Sequence, residues 1–406
     1  MTLSSRARKR MASLRLATLA IHGSSLRDAH GSPNTPIYNT TTFAFDSTAA
    51  LLDVIEGRRK GALYTRYGQN PTLFALEDTL AALEGAEAAL AFASGMAASA
   101  ALFLALGRGG IVCVGDAYGG TLELLGAQLP QLGITTRLLL RSELDRLDAV
   151  LAEGAGLVFF ETPSNPRLEL FDIAEVAAVA HAHGALVAVD NTFASPVNQR
   201  PLELGADIAM HSATKYLGGH SDLTAGALMG SRALLHQVAG WRKNLGSVLA
   251  PETAALLSRS LRTLPVRVQR HNASAQFVAE AMARHPRVAR VFYPGLADAA
   301  DHALATTQMH GYGGMLSIEL HGSGADATRV ADRLRLFALA PSLGGVESLV
   351  TQPCTTSHRD LSAAERARRG IADAMLRLSI GLEDPADLVA DLEQALRPGG
   401  ASAARR

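Results

Sequence analysis

The chain carries 38 lysine and arginine residues, and only four of them are lysine: Lys9, Lys60, Lys215 and Lys243. Arginine supplies charge almost everywhere else, so a retained lysine points to chemistry that a guanidinium cannot do. An amine can lose its proton and bond a carbonyl carbon, whereas a guanidinium stays charged. Lys215 has the setting of such a nucleophile. An apolar run ending at Met210 leads into His211-Ser212-Ala213-Thr214-Lys215, and glycines follow at Gly218 and Gly219. A lysine in apolar surroundings is the usual Schiff-base residue. On spacing alone, a lysine that closes a strand end is the alternative.

Three further polar clusters sit where apolar runs stop. Ser94-Gly95-Met96 follows one run and opens a helical stretch; Glu161-Thr162-Pro163-Ser164-Asn165-Pro166 follows the run ending at Phe160; Asp190-Asn191-Thr192 follows the run ending at Val189. A pyridine aldehyde bearing a phosphate gives each a task. Ser94, Gly95 and Met96 would meet the phosphate with backbone N–H groups at a helix N-terminus, where the macrodipole favours an anion. Ser212 and Thr214 would add hydroxyls. Asp190 would keep the pyridine nitrogen protonated and the ring an electron sink. Each cluster alone could be structural; the weight lies in four of them, in this order, at strand ends.

Elements that could position these residues are legible from about residue 72. Helical spacing marks 72–83, 121–129 and 172–183, the last with a cap at Asp172. Short apolar runs at 111–114, 136–140, 157–160, 186–189 and 208–210 read as buried strands. Residues 88–107 carry no charge, which is long enough to cross a bilayer. However, Ser94-Gly95 divides the segment into a strand (88–93) and a helix (96–106). Strand–helix alternation predicts an α/β fold with a large, mostly parallel sheet, whose ligands bind at the carboxyl ends of its strands. After about residue 264 the texture changes to helices at 266–284 and 325–335 and strands at 315–320 and 375–380, a smaller C-terminal α+β domain. The expected division is 1–60 as an N-terminal arm that contributes to the oligomer, 61–265 as the cofactor-binding domain and 266–406 as the C-terminal domain.

Taken together the motifs resemble the pyridoxal-phosphate enzymes of cysteine and methionine metabolism, the family of cystathionine γ-synthase and γ-lyase. The resemblance runs from about residue 18 to 396. It rests on Tyr64-Thr65-Arg66, Ser94-Gly95-Met96, Asp116-Ala117-Tyr118-Gly119-Gly120-Thr121, ETPSNP at 161–166, DNTFASP at 190–196, HSATKYLGGHSD at 211–222, Ser342-Leu343-Gly344-Gly345-Val346-Glu347-Ser348 and Arg377-Leu378-Ser379-Ile380-Gly381. It implies the pyridoxal-phosphate transferase fold of type I, with pyridoxal 5'-phosphate joined to Lys215. Tyr118 would stack on the ring and assist acid–base steps. Tyr64 and Arg66 would reach the phosphate of a neighbouring subunit, in a homotetramer built as a dimer of dimers. Arg377, with Asn165 and the backbone near Ser342, would hold the substrate's α-carboxylate, an anion suited to a bidentate fork. Glu347 would steer γ- over β-chemistry by recognising an amine at the far end of the substrate. The implied activity is γ-replacement or γ-elimination on sulfur amino acids or activated homoserine esters. An O-acyl-homoserine sulfhydrylase or methionine γ-lyase is the runner-up. Two departures stand out. The family pattern Y-x-R-x-G-N-P-T gains one residue, Gln69, in Tyr64-Thr65-Arg66-Tyr67-Gly68-Gln69-Asn70-Pro71-Thr72. Methionine γ-lyases carry a cysteine two residues after the stacking tyrosine, where this chain has Gly120.

Other classes fit less well. Lys+Arg and Asp+Glu both total 38, so no net field draws nucleic acid or an anionic membrane. Cys113 and Cys354 lie far apart, which excludes a disulfide framework and fits a reducing cytoplasm; Cys113 reads as core, and Cys354 could border the substrate pocket. His181 and His183 are two residues apart and point to different helix faces, and His310 and His358 lack partners at useful spacing, so no metal is expected. The basic N-terminus, Arg6, Arg8, Lys9, Arg10 and Arg15, reads as a surface arm rather than a transit peptide, and 398–406 as a frayed tail. A nucleotide-binding Rossmann protein would need GxGxxG after its first strand. A catalytically silent module that only binds the cofactor would have no use for the imine lysine.

Overall fold

The computed structural model describes residues 14–24, 28 and 30–398; the expected arm residues 6–10 and the tail beyond 398 lie outside them. The apolar runs form a seven-stranded sheet in the order β1-β7-β6-β5-β4-β2-β3. The strands are β1 (Ala88–Phe92), β2 (Ile111–Val114), β3 (Thr136–Leu139), β4 (Leu157–Glu161), β5 (Leu186–Asp190), β6 (Ile208–His211) and β7 (Gly226–Gly230). Strands β3, β2, β4, β5 and β6 pair in parallel, while β7 runs antiparallel to both β6 and β1. The central strands are buried along their whole length, as expected where helices cover both faces of a parallel sheet.

The helices that matter for the site are α1 (Pro71–Glu84), α2 (Gly95–Leu106), α3 (Ile173–Ala182), α4 (Arg232–Leu245), α5 (Pro251–Leu261) and α6 (Leu264–Ala283). Their ends follow local chemistry. Asn70 accepts from the Thr72 amide and Pro71 takes the first position of α1, where a missing N–H costs nothing. Asp172 caps α3 by accepting from the Glu175 amide, as its position predicts. The uncharged segment 88–107 is β1 and α2 joined at Ser94. Among the described residues no helix is long and apolar enough to cross a membrane.

A second sheet has the order β10-β11-β12-β9-β8, from β8 (Val288–Phe292), β9 (Met315–Leu320), β10 (Ala338–Leu339), β11 (Leu349–Thr351) and β12 (Met375–Ser379). It packs on α6 and on a last helix, Pro385–Leu396, through a core of its own that includes Val278, Met282, Ile318, Leu376, Leu388 and Leu392.

Two expectations change. The single helix expected over 121–129 is broken into an α turn (Gly119–Glu123), a wider π turn (Leu124–Gln128) and a 3-10 turn (Leu129–Leu132). Pro130 removes a donor there, which ends regular α geometry. Strand β7, with its two terminal glycines, gives no sequence signal, yet it separates β1 from β6. Its Gly226 is fixed by crowding, because a Cβ there would overlap the Ser94 carbonyl oxygen at the mouth of α2. Gly240, inside α4, has open space around it. Gly226→Ala is therefore expected to lower stability by about 2–3 kcal/mol, and Gly240→Ala to raise it by about 0.5–1 kcal/mol. Urea midpoints that moved alike in both variants would contradict this account.

Candidate active site

The carboxyl ends of β1, β2, β4, β5 and β6 bring the polar clusters together. At β1, the Ser94 hydroxyl accepts from the Ala97 amide at 3.1 Å and so caps α2, leaving the amides of Gly95 and Met96 in the first turn, where no intrahelical acceptor exists. Gly95 allows a close approach: a Cβ there would lie 2.8 Å from the Ser212 Cβ and 2.9 Å from its Oγ. Ser212 is placed in turn by its amide, which donates to Thr192 Oγ1 at 2.8 Å. The Thr214 hydroxyl is engaged within its own loop, donating to Ala225 O at 3.1 Å and accepting from Ala225 N at 3.0 Å.

Asp190 ends β5 opposite Glu161 of β4 and Met210 of β6. Burial pushes the Asp190 carboxyl above the usual carboxylate range, against the pull of Thr192 hydrogen bonds and of His211; the Thr192 amide donates to its Oδ1 at 2.9 Å. Burial and the neighbouring Asp190 raise Glu161 well above its ordinary value. Glu161 Oε1 accepts from the Tyr118 amide at 2.6 Å, so a buried carboxyl anchors the backbone of the tyrosine loop. The Tyr118 ring itself is 51% exposed, and a Cβ on Gly120 would press it at 2.8 Å. Behind Asp190, Glu84 and His211 are both buried and hydrogen bonded to each other, and Asn191 Nδ2 donates to Glu84 Oε1 at 3.1 Å.

Lys215 lies in the turns after β6. Its Nζ donates to Ser342 Oγ at 2.8 Å. Burial and then the charge of Arg377 lower its pKa to about 8. Arg377 comes from the middle of β12, between Thr351 and Ser317 on the flanking strands. Its Nη1 donates to Asn165 Oδ1 at 2.9 Å and its Nη2 to Ser342 O at 3.1 Å. Burial lowers its pKa to about 10, opposed by Glu161, which leaves it a cation at neutral pH. Ser342 therefore meets the amine with its hydroxyl and the guanidinium with its carbonyl, from a backbone held at φ 105°. Glu347 accepts from the Ser221 hydroxyl close by Gly345.

Other residues that the sequence singles out lie outside this cluster. Tyr64 and Arg66 are not part of this cluster. Arg66 Nη1 donates to Lys243 O at 2.8 Å, and its guanidinium lies 5.0 Å from the Tyr67 ring centre. The additional Gln69 follows a left-handed turn at Gly68, φ 78°, and its carbonyl accepts from the Leu63 amide at 3.2 Å. The Cys354 thiol contacts Asp373 O at 3.5 Å, and Cys113 is buried in β2. His181 and His183 pair separately with Asp207 and Asp148.

Sequence reading assigned no role to two groups that hold the site. One is Glu161, which ends an apolar strand as Asp190 does, a parallel the sequence displays. The other is a clasp on Asp116: Oδ1 accepts from Arg369 Nη1 at 2.6 Å and Oδ2 meets His358 Nε2 at 3.2 Å. All three are buried. The clasp ties segment 357–369 to the start of the Tyr118 loop, and nothing in the spacing of residues 116, 358 and 369 announces it.

The residues present fit pyridoxal phosphate. Gly95 clears a cradle beside Ser212 at a helix N-terminus, Asp190 is a buried acid suited to a protonated pyridine nitrogen, and Lys215 is an amine with a depressed pKa.

Comparison with known proteins agrees. The family model described as Cys/Met metabolism PLP-dependent enzyme matches residues 17–397. The chain belongs to this family. The L-methionine γ-lyase of Pseudomonas deceptionensis is 44% identical over 387 residues, which span 94% of this chain and 97% of that protein. The cystathionine γ-synthase of Mycobacterium leprae is 42% identical, over 94% of this chain and 96% of that protein. A crystal structure of cystathionine γ-synthase from Xanthomonas oryzae pv. oryzae, in complex with aminoacrylate and cysteine, superposes with a TM-score of 0.89 at 39% identity, covering 94% of this chain and 98% of that one. The protein is thus a pyridoxal-phosphate enzyme of sulfur amino-acid metabolism, with the type I fold.

Capture of the cofactor by the cofactor-free chain needs the neutral amine. Because the Lys215 pKa is depressed, that form appears as pH rises through about 8, rather than near the ordinary value of about 10.4. The rate of covalent capture, followed by visible absorbance, is expected to climb with a midpoint near pH 8. A midpoint near 10 would show that burial and Arg377 do not act on this amine.

Proposed function

We propose that the protein catalyses γ-elimination or γ-replacement on amino acids carrying a thioether or an activated oxygen at Cγ, of the cystathionine type. One observation carries this reading: Lys215 Nζ and the Arg377 fork converge on the same residue, Ser342, at 2.8 and 3.1 Å. An amine that takes a proton from Cα and a fork that takes the α-carboxylate belong that close together for an α-amino acid. Two N–H groups of Arg377 are held by Asn165 and Ser342, which orients the rest of its five-donor fork toward a carboxylate.

When bound, pyridoxal phosphate supplies the electron sink that makes protons next to the substrate's amine-bearing carbon acidic and lets the Cγ group depart. The chain supplies the rest. Asp190 holds the ring nitrogen; Gly95, Met96 and Ser212 hold the phosphate end, with Ser94 capping the helix behind it and Thr214 fixing the loop. Neutral Lys215 receives the Cα proton and returns it; a general base works best with a pKa near the working pH. The Tyr118 face covers the ring and its hydroxyl assists proton movement. Glu347, placed by Ser221 on the same loop run as Ser342, would meet a distal ammonium such as that of cystathionine. Gly120 leaves the Tyr118 ring room that a side chain there would take.

Tyr64 and Arg66, exposed and outside their own chain's site, would complete the phosphate site of a second copy, which supports a homotetramer of two such dimers. Residues 1–60 would serve as the arm between copies, and 61–265 and 266–406 as the two domains. We place the enzyme in the cytoplasm.

The decisive assay offers cystathionine, methionine and acyl-homoserines, with and without cysteine, while 2-oxobutyrate and thioether products are followed. Turnover of none of them, with unchanged visible absorbance, would leave only a silent binding module. Lys215→Ala is expected to keep the fold and hold the cofactor noncovalently while kcat falls by about 10³-fold or more. Arg377→Ala is expected to raise KM by about 10- to 100-fold, in line with losing a charge-assisted fork; an unchanged KM would remove its assigned role.

A further inference from the structure

Arg267 stands in the first turn of α6 and is only 4% exposed. Its guanidinium donates to Tyr216 O at 2.7 Å, Leu217 O at 3.4 Å and Ser260 O at 2.9 Å, and its Nε donates to Thr263 Oγ1 at 3.1 Å. Among the described residues all of these partners are neutral. A buried cation without a carboxylate is costly, and burial lowers its pKa to about 10. What the guanidinium offers in return is a rigid fork of donors for carbonyls that regular structure does not satisfy.

Two of those carbonyls belong to the residues directly after Lys215. The chain there runs through consecutive turns, with Lys215 N donating to Ser212 O at 3.0 Å and Gly219 N to Lys215 O at 2.7 Å. Gly219 adopts φ 70°, and a Cβ on it would overlap the Arg267 guanidinium. The Tyr216 side chain is fixed as well. Its hydroxyl accepts from Gly314 N at 3.0 Å, and its ring meets His271 edge-on at 5.2 Å. A Cβ on Gly344 would lie 2.8 Å from Tyr216 N. The Lys215 backbone is thus gripped from its C-terminal side by the first turn of α6.

We propose that Arg267 is a positioning residue for Lys215: its fork braces the Tyr216 and Leu217 carbonyls and so fixes where the amine stands relative to Asp190 and Arg377. The inference rests on Lys215 being the residue that joins the cofactor.

The test uses the full-length enzyme loaded with pyridoxal phosphate, carrying Arg267→Met, Arg267→Lys or Gly219→Ala. Displacing a reacting group by about 1 Å costs on the order of 10²-fold. Arg267→Met is expected to lower kcat by about that factor with KM within twofold, and to reduce the fraction of cofactor that borohydride fixes to Lys215. Arg267→Lys, with fewer and freely rotating donors, is expected to fall between. Gly219→Ala keeps every donor but displaces the fork, and is expected to repeat the Met signature. Variants that melt earlier but keep wild-type kcat and a wild-type fixed fraction would reduce Arg267 to a structural residue and overturn the proposal. A rise in KM at constant kcat would overturn it too. Should Arg267→Met not fold, the other two substitutions carry the same comparison. Peptide mapping that found no adduct at Lys215 in the wild type would instead overturn the assignment of Lys215, and the brace with it.

Discussion

Two cations, Lys215 and Arg377, share one partly dry cleft, and the chemistry depends on their not being equal. Burial weakens both, but the guanidinium starts two units higher and has Glu161 in its favour, so it stays charged. The amine gives way, and the standing charge of Arg377 is one reason. A single pair of neighbours thereby offers a standing cation and a titratable amine that meet at Ser342. The buried acids form the complementary half. Asp190 and Glu161 face each other on adjacent strands; burial and then the Asp190 carboxylate raise the cost of ionising Glu161, and Glu161 also anchors the Tyr118 amide. Burial disfavours the Asp190 carboxylate, and a cationic ring nitrogen beside it would favour that charged form.

The cleft is also a joint. Lys215 and Asp190 belong to the first sheet, while Arg377 and Ser342 come from the second half of the chain. Asn165 reaches across from the end of β4 to Arg377, and Ser317 Oγ of β9 donates to Pro166 O at 2.7 Å. The Asp116 clasp adds a third tie. These contacts are polar and largely buried, and separating the two sheets would have to expose several at once.

Much of this was legible in the sequence because periodicity and chemistry agree in a parallel sheet: β4, β5 and β6 are apolar until their final residues, Glu161, Asp190 and His211, which stand at the site. That is why Asp190, Lys215, Ser212 and Gly95 stand out and fall together. The order of motifs located Arg377 and Asn165. What stayed hidden depends on tertiary distance. Strand β7 is a short run between two glycines, and the need for Gly226 is set by crowding against Ser94. Arg267 looks like any charged residue near a helix start, and its burial and neutral partners exist only once α5, α6 and the Lys215 turn have met. The stretch expected to be helical over 121–129 is helical but irregular, passing from α to π to 3-10 turns ahead of and through Pro130. Thr214, expected to face the ligand, holds Ala225 of its own loop.

The position of Arg377 so late in the chain bears on how the enzyme is made. The large sheet is complete at Gly230, but the guanidinium of the cleft emerges from the ribosome about 150 residues later, roughly 10–30 s at ordinary translation rates. Throughout that interval the nascent chain has neither Arg377 near Glu161 nor Arg369 on Asp116. The residues assigned to the cofactor within this chain, Gly95 to Lys215, all precede Gly230, whereas the fork assigned to the substrate comes last, so a chain that stopped short of Arg377 would lack the part of the cleft that meets the substrate.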